Sequence, residues 1–319
     1  MAQDDASNFD LTSLREEQLP ENHKSGFVAV IGRPNVGKST VMNALLHQKV
    51  AIVSHRPQTT RVRQLGIITE PDYQMIFVDT PGIMQPRHKL DEFMLNTALE
   101  SLRDADVILW LVDASEAPGR GDQSIAEQLQ PLAGPSKIIL GINKADLLTP
   151  DQVLPRTDAY RQMLPQAHNW LLFSALKERG LDELLQMLVD ALPQGPRYYP
   201  ADQVTDLFLR DIAGELVREQ ILQQLHDEIP HGTTVQVTEF KERPNNVTYI
   251  GATIFVERES HKQIVIGRQG AQLRQIGAAA RQEIELMLDG KVFLELWVKV
   301  EPKWRRSDQA LQRFGYTRG

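Results

Sequence analysis

The 319 residues are 41% apolar and 24% charged and include no cysteine, a balance that suits soluble globular domains and excludes disulfides and thiolate-held zinc or iron–sulfur centres. The length allows two domains with separate cores. The longest apolar runs fall far short of the about 20 residues that cross a bilayer as a helix. The acidic, polar N-terminus lacks the basic-then-apolar order of a signal peptide, and a cytoplasmic location is expected.

Residues 1–25 show no sustained apolar period and read as a mobile acidic extension, with at most one helical turn around Leu11 to Glu17. From Phe27 onward, apolar strands are expected at 27–31, 65–69, 73–79, 107–112, 137–142 and 170–174. Helical patterns fall between most of them, near 38–47, 91–103, 122–132, 151–163 and 181–191. This alternation predicts an α/β domain over 26–192, with a mostly parallel sheet covered by helices on both faces. Its ligand belongs at the carboxyl ends of the strands. "PQGPRYYP" at 193–200 opens a linker, 193–203. A smaller α+β domain follows over 204–319. It reads as a helix at 204–226, two long strands from "TTVQVTEF" and "NVTYIGATIFVER", a short strand "KQIVIG", a helix near 270–289, a strand "VFLELWVKV" and a final helix near 306–314. The apolar stripe of the first of these helices (Leu207, Ile212, Leu216, Ile221, Leu225) suits a core. The net charge of −7 would argue against nucleic acid, but it is unevenly spread. Residues 1–200 carry −6, 201–259 carry −6 and 260–319 carry +5, and phosphate attraction follows the local field.

After the first strand comes Gly32-Arg33-Pro34-Asn35-Val36-Gly37-Lys38-Ser39, with Thr40 following. This is the G-x-x-x-x-G-K-S spacing of a P-loop, whose backbone N–H groups cradle phosphates while the lysine reaches the outer ones and the serine hydroxyl meets Mg²⁺. "IFVDTPGI" puts Asp79, Thr80, Pro81 and Gly82 at another strand end, where the carboxylate can hold Mg²⁺ through water and the Gly82 N–H can meet a γ-phosphate. "IILGINKADLL" supplies Asn143, Lys144 and Asp146. A carboxylate at Asp146 pairs with the ring N–H and exocyclic amine of guanine, and adenine offers no such pair of donors. Ser174, Ala175 and Leu176 complete the set, with the Ala175 N–H expected to meet the guanine oxygen. In this order the strings specify GTP/GDP with Mg²⁺, with Lys38 and Gly82 as catalytic candidates and Ser39 and Asp79 as metal ligands. Thr59 and Thr60 compete for one ligand position in the loop "VSHRPQTTRVRQLG".

"GRPNVGKST", "QTTR", "DTPGI" and "NKAD" resemble, almost string for string, the Era family of the translation-factor-related GTPases. "IVIGRQGAQLRQIGAAARQEIE" resembles the G-x-x-G region of a KH domain, and "LELWVKV" the Era strand that follows it. The likeness spans about residues 26–319 and implies a P-loop GTPase domain joined to a KH-type RNA-binding domain. It favours Thr60 over Thr59. It also implies single-stranded rRNA near the 3′ end of the small-subunit rRNA as ligand, a role in small-subunit assembly, and peripheral membrane association. On the KH side, Gly267, Arg268, Gln269 and Gly270 form the G-x-x-G turn. Ile266 flanks it, and Lys262 and Arg274 are placed to add phosphate contacts.

Many GTPases carry a glutamine directly after D-x-x-G to orient the attacking water; this chain has Ile83, so slow unassisted turnover is expected. Related GTPases with asparagine at the position of Asn35 use it to hold K⁺, which implies K⁺-stimulated hydrolysis. The loops 50–62 and 82–92 are expected to respond to the γ-phosphate, and the linker to let the KH domain move. Trp110, Trp170 and Trp297 lie in apolar strands and are expected in the core, whereas Trp304 suits either base stacking or a domain cap. His55 and His88 read as solvated loop residues, and no histidines stand at metal-ligand spacing. The rival readings are a GTPase of another branch and an RNA-binding scaffold that hydrolyses nothing.

Overall fold

A computed structural model describes residues 19–54, 56–134, 137–244 and 246–316. Most of the acidic extension, with the turn expected at Leu11 to Glu17, and His55 lie outside the described residues.

The first half forms β1 (Lys24–Ile31), α1 (Lys38–Leu46), β2 (Gln64–Thr69), β3 (Tyr73–Asp79), α2 (Lys89–Arg103), β4 (Val107–Asp113), α3 (Arg120–Leu129), β5 (Lys137–Asn143), α4 (Pro150–Met163), β6 (Asn169–Leu172) and α5 (Leu181–Ala191). The sheet order is β2-β3-β1-β4-β5-β6. Neighbours are parallel except β2, which pairs antiparallel with β3. The two-residue period of the strands divides the core. Val28, Val30, Leu109 and Leu111 pack with α1 and α5, whereas Ala29, Ile31, Ile108, Trp110 and Val112 pack with α2, α3 and α4. Each fully buried Val, Ile or Leu contributes roughly 1.5–3 kcal/mol relative to exposure. A sheet buried on both faces needs such unbroken apolar runs, and all seven residues of β4 are buried. Register then aligns the strand ends: Val30 faces Asp79, and Asp113 faces Asn143.

The second half forms α6 (Leu209–Gln224), β7 (Thr234–Arg243), β8 (Val247–Val256), α7 (Glu259–Ile266), α8 (Ala271–Leu288), β9 (Lys291–Val300) and α9 (Asp308–Arg313). β7 and β8 are antiparallel, β8 and β9 parallel. Ile212, Leu216 and Ile221 of α6 and Ile276, Ala280 and Ile284 of α8 pack on Ile250, Ile254 and Val298 of the sheet. The stripe on α6 is therefore core, as its spacing indicated.

Three expectations are corrected. "KQIVIG" is no strand but the end of α7. His261 and Val265, four apart, are buried while Gln263 and Ile264 between them are exposed, which is a helical rather than a two-residue period. α6 starts five residues later than expected because the preceding segment is tied to the first sheet. Ser25 N donates to Pro193 O at 3.0 Å, Gln74 Oε1 accepts from the N–H groups of Tyr198 and Tyr199 at 2.7 and 2.9 Å, and Ile67 N donates to Val204 O at 2.8 Å. The Pro- and Gly-rich stretch is thus a strap, not a loose tether. Trp110 is core, but Trp170 and Trp297 are 37% and 39% exposed. Trp170 lies on edge strand β6 under the Arg161 guanidinium, and Trp297 on the outer face of β9. Trp304 is fully buried, donates to Gly232 O at 2.9 Å and stacks on Tyr316. It joins a cluster with Leu90 and Met94 of α2, so it is a domain cap.

Candidate functional site

A cavity of about 630 Å³ opens at the carboxyl ends of the first sheet, within the size range of small-molecule sites. The wall includes Arg33, Pro34, Asn35, Val36, Gly37, Lys38, Ser39, Thr40, Thr60, Gly82, Asn143, Lys144, Asp146 and Leu176. Residues more than a hundred positions apart therefore share one space.

The P-loop leaves β1 and turns at Asn35 and Gly37, both with positive φ (67° and 101°). A Cβ on Gly37 would stand 2.4 Å from Asn143 Nδ2, so only glycine lets the loop approach β5 this closely. Lys38 is buried, and its ammonium donates to Arg33 O at 3.0 Å and Gly32 O at 3.3 Å. Burial pulls its pKa down to about 8, opposed by the nearby Asp79 carboxylate. Burial also pushes the Asp79 carboxyl up, opposed by Lys38 and by hydrogen bonds from Ser39 and Thr60. Both shifts reflect charges held out of water, each only partly offset by the other.

Asp79 Oδ2 accepts from Ser39 Oγ at 2.9 Å and Thr60 Oγ1 at 3.0 Å, and those two hydroxyls lie 3.0 Å apart. Asp79 Oδ1 is buried without a hydrogen-bond partner among the described residues. Three converging oxygens beside an orphaned carboxylate oxygen are the donor chemistry of a hard divalent cation, so these residues fit Mg²⁺. The geometry also separates the two threonines, because the Thr59 hydroxyl turns away to donate to Arg56 O at 2.7 Å.

At the other end, Asn143 ties three loops together. Its Nδ2 donates to Val36 O at 2.9 Å, and its Oδ1 accepts from Lys144 N at 2.8 Å and Ala175 N at 3.0 Å. The Ala175 N–H is thereby held against Asn143 Oδ1. Ser174 Oγ donates to Asp146 Oδ1 at 2.5 Å and aims that carboxylate. Thr80 is buried, and its hydroxyl donates to Val30 O at 2.8 Å, tying the end of β3 to β1. Gly32, Asp79, Thr80, Pro81, Ser174 and Ala175 stand behind the lining residues rather than among them.

Sequence reasoning missed Asp113, Glu116, Leu147 and Gln58 in the wall. Asp113 pairs with Lys144 Nζ at 2.5 Å. Burial would raise its pKa, but the Lys144 ammonium and Ser115 outweigh it and hold the carboxyl low. The signal was present, since Asp113 ends an apolar strand just as Asp79 and Asn143 do. Ile83 is 6% exposed and packs among Ala98, Ile108 and Trp110, so its side chain does not reach the cavity.

In the second domain, Gly267-Arg268-Gln269-Gly270 joins α7 to α8. Gly267 (φ 72°, ψ 174°) and Gly270 (φ 76°) take positive φ, and so does Gln269 between them. Arg268, Gln269 and Arg274 are exposed, Ile266 is half-buried, and half-buried Lys262 lies 3.9 Å from Glu259.

Residues 27–144 match the 50S ribosome-binding GTPase family, and residues 228–305 match the KH domain. The chain is 48% identical to the GTPase Era of Ruminiclostridium cellulolyticum, covering 92% of this chain and 98% of that one. It is 49% identical to the GTPase Era of Rippkaea orientalis over 93% and 94%. The fold is similar to a single-substitution variant of Aquifex aeolicus Era bound to GDP·AlF₄⁻ (TM-score 0.88, 41% identity, 92% and 100% coverage). It is equally similar to an Era in complex with MgGDPNP and nucleotides 1506–1542 of 16S ribosomal RNA (TM-score 0.89, 42% identity, 93% and 100% coverage). With relatives at 48–49% identity matched over nearly their whole length, and a GTPase-family match followed by a KH-domain match along one chain, the protein belongs to the Era family of GTPases.

Proposed function

We propose that the chain is a GTP-operated switch. It binds GTP with Mg²⁺ in the cavity of the first sheet and hydrolyses it slowly to GDP and phosphate. Its KH domain binds single-stranded rRNA from the 3′ region of the small-subunit rRNA during assembly of that subunit. The observation that carries this reading is the full-length likeness to an Era complexed with both MgGDPNP and 16S rRNA nucleotides.

The residues divide the work. The P-loop amides and Lys38 take the phosphates, and Asp146, aimed by Ser174, selects guanine. Ser39 and Thr60 would hold the magnesium ion, with Asp79 behind them. The chemistry such an ion would supply there is positive charge beside the phosphate oxygens. Gly82 offers its N–H at the γ-phosphate end. With the Ile83 side chain in the core, nothing at that position orients water, so unassisted turnover is slow. Asn35, on the cavity wall, is the residue to hold K⁺. Phosphate release several-fold faster in K⁺ than in Na⁺ buffer is the expected result, and equal rates would remove the K⁺ role.

The exposed G-x-x-G turn offers backbone to an RNA backbone, with Arg268 and Arg274 beside it for phosphates. The family likeness supports a cytoplasmic protein with peripheral membrane association. No helix of the described residues is long and apolar enough to cross a membrane, and the α6 stripe is core, so membrane contact falls to other surfaces. Crosslinking to cellular RNA, with and without a non-hydrolysable GTP analogue, tests the RNA assignment. Recovery of small-subunit rRNA 3′ sequence supports it, and unrelated RNA in both states refutes it.

A further inference from the structure

The loop that carries Thr60 is held by one face of a helix in the other domain. On α6, Glu215, Arg218, Glu219 and Leu222 stand at i, i+3, i+4 and i+7, a single stripe. Glu219, 1% exposed, accepts from Val53 N at 2.8 Å and from Lys49 Nζ at 2.6 Å. Arg56 Nε donates to Leu222 O at 2.6 Å. The Ile52 side chain is buried in the KH-domain core with Ile212, Leu216 and Ile221. Arg218 donates to Thr59 O and, at 3.5 Å, to Gln58 O, both residues of the cavity wall. Glu215 neutralises it, with Nε–Oε1 and Nη2–Oε2 at 2.9 and 2.5 Å.

Arg218 is fully buried. A buried guanidinium is costly unless all its donors are used, and a carboxylate alone leaves part of the planar fork unpaired. The two carbonyls it takes belong to the residues immediately before Thr60. Gln58 sits at φ 62°, a backbone state that non-glycine residues hold only under constraint. Gln58 Nε2 also donates to Asp91 Oδ1 at 2.7 Å, which anchors the segment on the α2 side. Fixing the carbonyls of 58 and 59 fixes where the Thr60 hydroxyl points, 3.0 Å from both Asp79 Oδ2 and Ser39 Oγ.

We propose that Arg218, supported by Glu215, is a positioning residue for Thr60, so that the preference for GTP over GDP depends on contact with the KH-domain helix α6. This rests on the reading of Thr60 as a ligand completed only when the γ-phosphate is present. By linkage, whatever moves α6 changes the GTP preference, and the bound nucleotide changes how α6 is held by the same factor.

The test is the ratio of affinities for GDPNP and GDP, each measured by displacement of a fluorescent guanine nucleotide at fixed Mg²⁺. The full-length protein, Thr60→Ala, Arg218→Met, Arg218→Lys and Glu215→Gln are compared, with a melting curve for each. A merely structural role for Arg218 would lower the melting temperature and leave the ratio alone. The expected result is that Thr60→Ala and Arg218→Met each lower the ratio by about fivefold or more, the lower end of common coupling factors. Arg218→Lys is expected to restore part of it, and GDP affinity in the Arg218 variants to stay close to the parent's. Should Arg218→Met not fold, Glu215→Gln decides, because it loosens the guanidinium without emptying the site and is expected to lower the ratio in the same direction. If Thr60→Ala lowers the ratio while the Arg218 and Glu215 variants leave it unchanged, the proposal is overturned and the Thr60 reading stands. If Thr60→Ala itself leaves the ratio unchanged, the Thr60 reading fails and the proposal fails with it.

Discussion

Asn143→Ala is the substitution whose consequences follow most closely from the geometry. The side chain is 3% exposed and makes three hydrogen bonds, at 2.9 Å to Val36 O, 3.0 Å from Ala175 N and 2.8 Å from Lys144 N. Alanine leaves Val36 O and Ala175 N, on two different loops, without these partners. Each stranded buried group costs about 1–3 kcal/mol, so a total loss of roughly 2–6 kcal/mol is expected for the two. For a domain of this size that corresponds to a fall of about 10 °C in Tm. The fold cost is only half of the prediction. On the proposed function, the loops that Asn143 links would meet opposite ends of the nucleotide, the phosphates at Gly37 and Lys38 and the base at Asp146, all of which line one cavity. Freed from one another, they must be ordered again by the ligand. GTP and GDP affinities should therefore both fall, by roughly tenfold or more for each 1.4 kcal/mol of ordering. Urea or thermal unfolding together with equilibrium nucleotide titration measures both effects. A variant that melts lower yet binds GDP as tightly as the parent would refute the claim that this side chain organises the site.

Lys38 predicts a pH dependence. With its pKa at about 8 in the empty site and raised by bound phosphates, nucleotide binding takes up a proton as pH rises past 8. The apparent Kd should weaken by about fourfold between pH 7 and 8.5. Calorimetry in buffers of different ionisation enthalpy checks this, and the same slope in Lys38→Met would sink it. Gly267→Ala places a Cβ 2.6 Å from Gln272 Cβ at φ 72°. It should weaken single-stranded RNA binding at least several-fold while RNA-free GTP hydrolysis stays the same. Arg61 is buried, donates to Thr233 O at 2.7 Å and His231 O at 3.0 Å, and lies over the Trp304 ring. Arg61→Met should lower the melting temperature by several degrees, because buried carbonyls lose a charged donor; an unchanged melt would contradict the cap.

What was legible in the sequence was local or periodic. The P-loop depends on glycine spacing within eight residues, and the short apolar run of β4, bounded by polar residues, suits a doubly covered strand. The choice between Thr59 and Thr60 was not legible from the residues, since it depends on which hydroxyl the fold turns toward Asp79. "KQIVI" misleads because its three apolar residues, Ile264, Val265 and Ile266, fit either period, and the packing of Val265 and Ile266 with Ile276 of α8 suits a helix. The segment 193–203 looked like a flexible linker because proline and glycine speak only of local conformation. Its partners, Ser25 and Gln74, lie more than a hundred residues earlier. The polar stripe on α6 was visible at helical spacing but had no meaning until the loop it grips was placed against it.

The central claim is that one carboxylate, Asp146, chooses the base of a nucleotide whose phosphates rest on Lys38. Competition among GTP, ATP and XTP for the site, in the parent and in Asp146→Asn, measures it most directly. The account predicts that ATP fails to compete with GTP in the parent and that the variant prefers XTP. ATP competing as well as GTP, or a variant that still prefers GTP to XTP, would contradict it.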